Sequence, residues 1–249
     1  MTKFRLAPIA AITVTAAIGY AGMASGQQYY TTPSGCPAKT IVGTAAPDTL
    51  TGSSVGDTIF GLGGGDRLLG VGGNDCLLGD IGNDSLSGGS GNDRLFGDAD
   101  SDTIGGGSGN DRATGGSGAD RVSGNSGGDR LLGGSGGDRI SGGSGGDRED
   151  GQSGNDRVGG GSGGDRLAGG SGNDRLSGQS GNDRIGGASG RDSINGGSGR
   201  DRISGGSGGD SINSRDRQRD RVNCGSGRDT ARVDRRDIVS RNCERVFVS

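Results

Sequence analysis

Gly133-Gly134-Ser135-Gly136-Gly137-Asp138-Arg139-Ile140-Ser141 is one copy of a nine-residue unit that recurs, with little change, through most of the chain. Stepping by nine from Asp48 lands on an aspartate at every step as far as Asp210, nineteen in succession without an insertion. Two positions after the aspartate stands Leu, Ile or Val in seventeen of those nineteen units, Ala113 and Glu149 being the exceptions. A short fixed period of this kind sets the architecture, because each unit can bury its apolar side only against its neighbours.

Composition alone would suggest disorder. Of 249 residues 62 are glycine, 27% are hydrophobic and 3% aromatic, which leaves no material for an ordinary core. The aliphatic column argues otherwise, since a flexible linker has no use for a branched side chain in fixed phase with an aspartate. A formal charge of −3 and the lack of aromatic clusters give no case for a nucleic-acid partner. The absence of histidine removes the commonest general base and the commonest transition-metal ligand.

The unit resembles the glycine-rich nonapeptide GGxGxDxUx of the RTX, or haemolysin-type, calcium-binding repeat proteins, in which U is a large aliphatic residue. The resemblance covers residues 43 to about 213. It implies an all-β fold, a right-handed parallel β-roll (a β-solenoid) with two nonapeptides per turn, and several Ca2+ ions as the cofactor.

Within the unit, six residues reverse the chain and three form a short strand on this reading. Glycines at positions 1, 2 and 4 supply positive φ without a steric penalty and let backbone carbonyls approach a cation. At position 2, Asp80, Asp98 and Asn125 tolerate the left-handed region, while Gln152, Gln179 and Ala188 are costlier there, and Asp100 at position 4 is the least expected substitution. The aliphatic residue at position 8 points inward and its neighbours at 7 and 9 point out, as a period of two requires. One such side chain per nine ordered residues is a thin core that does not by itself offset the entropy of ordering. Calcium, a hard cation that takes carboxylate and carbonyl oxygens, would supply the difference. With eighteen residues per turn, one column stacks Asp66, Asp84, Asp102, Asp120, Asp138, Asp156, Asp174, Asp192 and Asp210. The other stacks Asp75, Asp93, Asp111, Asp129, Asp147, Asp165, Asp183 and Asp201. Successive carboxylates stand roughly 4.8 Å apart. Each ion is expected between the aspartates at n and n + 18 with turn carbonyls, giving at most seventeen sites.

Arginine follows the aspartate in twelve of the nineteen units, as at Arg130, Arg139 and Arg166, which is a departure from the family pattern. Three readings stand side by side: a solvated outer face, a cationic ridge for an anionic polysaccharide or cell-surface polymer, and arginines that partly neutralise the aspartates without metal.

The rest of the chain frames the repeats. Lys3, Arg5, the apolar run from Leu6 to Ala21 and small residues near Ala24 and Gly26 read as a signal peptide over 1–26, leaving no membrane span after cleavage. Residues 27–42 form a leader or cap, 43–213 the repeats, and 214–249 an irregular C-terminal cap. In the segment 214–223 the phase slips by one, with Asp220 where the period demands 219. Four cysteines allow three pairings; the two local ones, Cys36 with Cys76 and Cys224 with Cys243, would staple the two ends, against the alternative of a lone thiol at Cys76. A cysteine-bounded tail of this kind is also found in exported family members.

These features predict a secreted calcium-binding protein that folds or rigidifies as it binds the metal. The alternative is a structural or adhesive extracellular protein using the arginine face. No HExxH, GxSxG with a downstream histidine, or other nucleophile and base pair supports an enzyme. A flat threonine face of the ice-binding kind is absent, since position 7 is mostly arginine.

Overall fold

Each repeat contributes one strand, and the strand is longer than expected. In the computed structural model, which describes residues 33–249, strands such as Arg130–Ser135 and Arg139–Ser144 run from position 7 of one unit through position 3 of the next. Only positions 4 to 6 form the bend. The expected division into six turn residues and three strand residues is corrected accordingly: pairing lapses at the glycine of position 1 and resumes at positions 2 and 3, as in Asn125↔Gly143 and Ser126↔Ser144. The expected signal peptide over 1–26 lies outside the described residues.

Successive strands alternate between two sheets, so every strand pairs in parallel with the next but one. The register step is eighteen residues, two nonapeptides per turn: Arg121 faces Arg139 and Val122 faces Ile140. Each sheet holds twelve strands. The fold is therefore an all-β parallel solenoid. Among the described residues no helix is long and apolar enough to cross a membrane.

The core is a single file. Position 8 supplies it from Ile59 through Leu131 and Leu176 to Val222, nearly all without solvent exposure. Position 7 faces out, as the period of two demands. Two positions break the file: Ala113, which leaves room, and Glu149, a carboxylate buried at 2% exposure with neither oxygen bonded. A second, smaller cluster sits on the outside of the first sheet near its N-terminal end, where Cys36 and Phe96 pack against Phe60, Leu62, Cys76 and Leu78.

Both local disulfides are present, Cys36 to Cys76 and Cys224 to Cys243, and no described cysteine is free. The segment where the period slips breaks the register without ending the sheets. Arg202 pairs with Arg221 and Ser211 with Thr230, a step of nineteen instead of eighteen. The extra residue is absorbed in a bend held by Asp216, whose carboxylate accepts from the Gly199 amide at 2.8 Å. Beyond it Val222 and Ala231 rejoin the core file.

A file of single side chains makes each rung's chemistry legible in stability. Leu131→Ala should lower the stability of the folded chain by about 2–5 kcal/mol. Glu149→Leu should raise it, by about 1–4 kcal/mol, because it completes the file between Leu131 and Leu167 and removes an unpaired buried carboxylate. Denaturant unfolding of the two variants beside the parent, at fixed calcium, measures both.

Candidate metal centre

The aspartate at position 6 points into the solenoid. All seventeen aspartates from Asp66 to Asp210 named above are buried, at 3% exposure or less. Their backbones are fully tied: the carbonyl of Asp75, for example, accepts from the Arg94 amide at 2.8 Å. Their amides bond along the column. The N–H of each aspartate from Asp48 to Asp210 donates to Oδ1 of the ladder aspartate one turn later, at 2.7–2.9 Å. The stacked carboxylates are thus separated by a backbone donor at every step, which the spacing alone did not reveal. The ladder continues past the expected list, through Asp220 and Asp229.

The other oxygen has no partner. Oδ2 of every one of those seventeen aspartates, and of Asp220 and Asp229, is buried without a hydrogen bond. A buried carboxylate left half-bonded in this way is costly. Burial pushes the seventeen up from their ordinary value of 3.8: Asp84, Asp93 and Asp129 to about 6, Asp183 to about 7, and Asp102 to about 8. Neighbouring ladder carboxylates add to the rise, while the amide bond to Oδ1 opposes it. Glu149 goes up to about 9, from burial first and then from Asp165 and Asp147.

Beside each free Oδ2 lies the glycine of position 1. These glycines do not have positive φ, contrary to expectation; only positions 2 and 4 do. Their role is room. A Cβ on Gly70 would overlap both Asp75 Oδ2 and the carbonyl of Gly88, and a Cβ on Gly133 would overlap Asp138 Oδ2 and stand 2.8 Å from the Gly151 carbonyl. The signal was in the sequence, since position 1 is glycine in all nineteen units. Position 2 does adopt the left-handed region, with φ of 69° to 83° at every non-glycine from Leu62 to Ala188. Asp100 at position 4 fits by the same means, at φ 74°, where the glycines of that column from Gly82 onward lie near 130°.

Two ends of the ladder are closed by the chain itself. Asp48 Oδ2 accepts from the Thr44 amide and hydroxyl, and Asp57 Oδ2 from the Ser53 amide and hydroxyl. Asp57 is also paired with Lys39 at 2.6 Å. Burial pushes the Asp57 carboxyl up, but Lys39 and Ser53 outweigh it and hold it below its ordinary value. At the other end the last amides, of Asp220 and Asp229, donate to Asp237 and Glu244.

The donor set fits a hard cation. It consists of carboxylate oxygens lacking a partner, with backbone carbonyls beside them, and contains no nitrogen or sulfur ligand. Among the described residues no group of three or more carboxylates, histidines or cysteines converges, so carbonyls and water would complete any coordination.

The RTX calcium-binding nonapeptide-repeat model matches this sequence in overlapping blocks, from residues 42–77 through 114–149 to 181–212. The chain belongs to that family. No curated protein matches it closely enough to count. RTX repeats bind calcium as a family, and the half-bonded carboxylates mark where this member has oxygen to offer. The disulfides accord with an oxidising compartment.

The arginines do not meet the ladder. Position 7 faces out where position 6 faces in, and Lys39 with Asp57 is the only ion pair among the described residues. The reading in which arginine neutralises the aspartates finds no contact to support it.

Two outcomes follow for the ladder. Gly133→Ala should destabilise the calcium-loaded chain by about 2–4 kcal/mol, while Asn125→Gly, at a position already in the left-handed region at φ 73°, should change its stability by under about 1 kcal/mol, read from melting temperatures of the two variants. Because the folded carboxyls titrate higher than in the unfolded chain, the metal-free roll binds more protons than the coil. Its stability is then greatest below about pH 4 on their account and falls as pH rises through the 6–8 range of the folded groups. Circular dichroism with chelator present should show more β-structure at pH 5 than at pH 8.

Proposed function

We propose that this chain is an exported protein that binds several Ca2+ ions along its two aspartate columns and becomes a rigid rod on doing so. The observation that carries this reading is the row of buried, unpartnered Oδ2 atoms. The leader over 27–42, the roll over 43–213 and the C-terminal segment over 214–249 then act as start, body and end of one calcium-dependent unit, released after removal of 1–26.

Bound calcium supplies positive charge to oxygens that have no donor of their own. The residues proposed to hold it are Asp66 to Asp210 of the two columns, each through Oδ2, with the position-1 carbonyls of the following turn. The chain's own part is preparation. The amide bond to Oδ1 fixes the carboxylate plane, and the side-chain-free Gly at position 1 keeps the approach to Oδ2 open. Without metal the same carboxylates must remain protonated or be charged in a dry interior, and either state opposes folding near neutral pH. Binding free energy is then folding free energy. The polypeptide has no residues arranged for catalysis in this reading.

A calcium titration of the chelated chain, followed by far-UV circular dichroism with magnesium as control, tests the proposal. A coil spectrum that turns to β-structure with calcium at roughly 10⁻⁴–10⁻³ M, and not with magnesium, is expected. Asp138→Asn sharpens the test, because the amide keeps an acceptor for the Asp120 N–H while losing the charge. It should stabilise the metal-free state and raise the calcium concentration needed for folding. A β-spectrum indifferent to chelator, with Asp138→Asn neutral in both conditions, would sink the reading.

A further inference from the structure

Position 7 is not distributed evenly over the two sheets. In the first sheet it stacks eight arginines in register without interruption, Arg94 facing Arg112 and Arg112 facing Arg130, then on through Arg148, Arg166, Arg184 and Arg202 to Arg221. The Arg94 guanidinium donates to the Ser34 carbonyl; the other seven side chains are exposed, and none of their guanidinium groups has a hydrogen bond or an ion pair among the described residues. Like charges stacked at the strand spacing of roughly 4.8 Å repel, and an anion laid along the column relieves that repulsion. The second sheet carries a shorter run, Arg121 to Arg175, bounded by Thr103 and Ser193.

The column is also one wall of a trough. A groove of about 390 Å³ is lined by Arg94, Arg112 and Arg130 on one side and by Phe96, Thr114 and Leu132 of position 9 on the other. A second, of about 260 Å³, shares Arg130 and Leu132 and continues to Arg166 and Ala168. A third, of about 300 Å³, lies between Arg202 and Arg221 and the side chains of Ser204 and Asn223. The opposite wall of the second sheet is shallow, being Ser123, Ser141, Gly159 and Ser177.

We propose that this trough is a binding groove for an extended acidic polysaccharide whose carboxylates lie against the arginine column. The occupant must be a ribbon with one anionic edge and one neutral edge, because one wall is guanidinium and the other is largely aliphatic, aromatic or hydroxyl. A polyuronate has both edges: carboxylates for the guanidinium forks, and C–H faces for Phe96, Leu132 and Ala168. Inorganic polyphosphate is anionic on every edge and has no use for the second wall. Single-stranded nucleic acid needs stacking platforms, and Phe96 is the sole aromatic ring lining the grooves. Asp150 interrupts the second wall beside Arg148, so contact is strongest on either side of it. The proposal stands apart from calcium binding, since none of its residues belongs to the aspartate columns.

The test uses the full chain in calcium, with circular dichroism confirming the fold of every variant. The probe is an end-labelled hyaluronan fragment, an acidic polysaccharide with a uronate at every second sugar that calcium does not gel, and its affinity is read by anisotropy at about 0.15 M salt. Arg130→Ser with Arg148→Ser and Arg166→Ser should weaken binding by about tenfold or more, while Arg121→Ser with Arg139→Ser and Arg157→Ser should change it by less than about threefold. Leu132→Ser should weaken hyaluronan and leave polyphosphate binding unchanged. Equal losses from the two triple variants would reduce the effect to general charge attraction and overturn the proposal. So would polyphosphate or single-stranded DNA binding as tightly as hyaluronan without regard to Leu132, or no binding of hyaluronan by the folded protein.

Discussion

From Asp66 to Asp229 every turn of this solenoid buries two carboxylate oxygens and gives them no donor. That constraint organises the rest. A side chain at position 1 would occupy the space beside Oδ2, so position 1 is glycine throughout. The amide of the preceding aspartate holds Oδ1, so the carboxylate cannot swing out to water without breaking a bond of the column. On the reading proposed above, the aliphatic file is too thin to absorb the cost alone and the fold depends on whatever satisfies Oδ2.

The column is directional, and direction explains why the ends differ. Each aspartate gives its amide to the following turn and receives an amide from the preceding one. The first carboxylates of the two columns therefore lack an amide from a preceding ladder aspartate, and the last amides lack a following one to accept them. At the start the chain supplies Thr44 and Ser53 hydroxyls and the Lys39 ammonium. At the finish it supplies the carboxylates of Asp237 and Glu244. Solenoid ends need atypical sequence to stop the stack, and here the atypical residues are those that terminate a polar ladder as well as a sheet. The disulfides fall at the same two places.

Much of this was legible in the residues. The phase of nineteen aspartates gave the nine-residue unit, the resemblance to the RTX repeat implied two units per turn, the position-8 column gave the core file, and the local spacing of the cysteines favoured the two pairings that form. What was not legible concerned direction and bonding. Period told that Asp138 and Asp156 stack, but not that an amide stands between them, because a backbone donor leaves no mark in composition. Glycine at position 1 was read both through positive φ and through the close approach it allows, and only the second holds, since the lack of a side chain there is what leaves room beside Oδ2. The contrast between a column never substituted and position 2, where Leu62, Asn125 and Gln152 all appear, held that information. The slip at Asp220 looked like an ending because phase was lost, yet pairing between strands survives an extra residue wherever a bend can hold it.

The near-neutral formal charge conceals a layered distribution. Positions 6 and 7 are adjacent in sequence and on opposite faces of the strand, so the negative charge is inside and the positive charge outside. Averaged over the chain these cancel to −3, which is why composition gave no case for a nucleic-acid partner. A partner does not meet the average; it meets the outer layer, and on the first sheet that layer is an unbroken line of guanidinium groups. Each divalent cation held inside would also add two positive charges to the particle without touching its surface. Loading the interior and attracting a polyanion are then linked through the field of the whole molecule, although the residues that do each share no contact. Calcium in this arrangement would both form the rod and raise the potential at its arginine face, so that the surface becomes most attractive to an anionic polymer only in the folded, metal-loaded state.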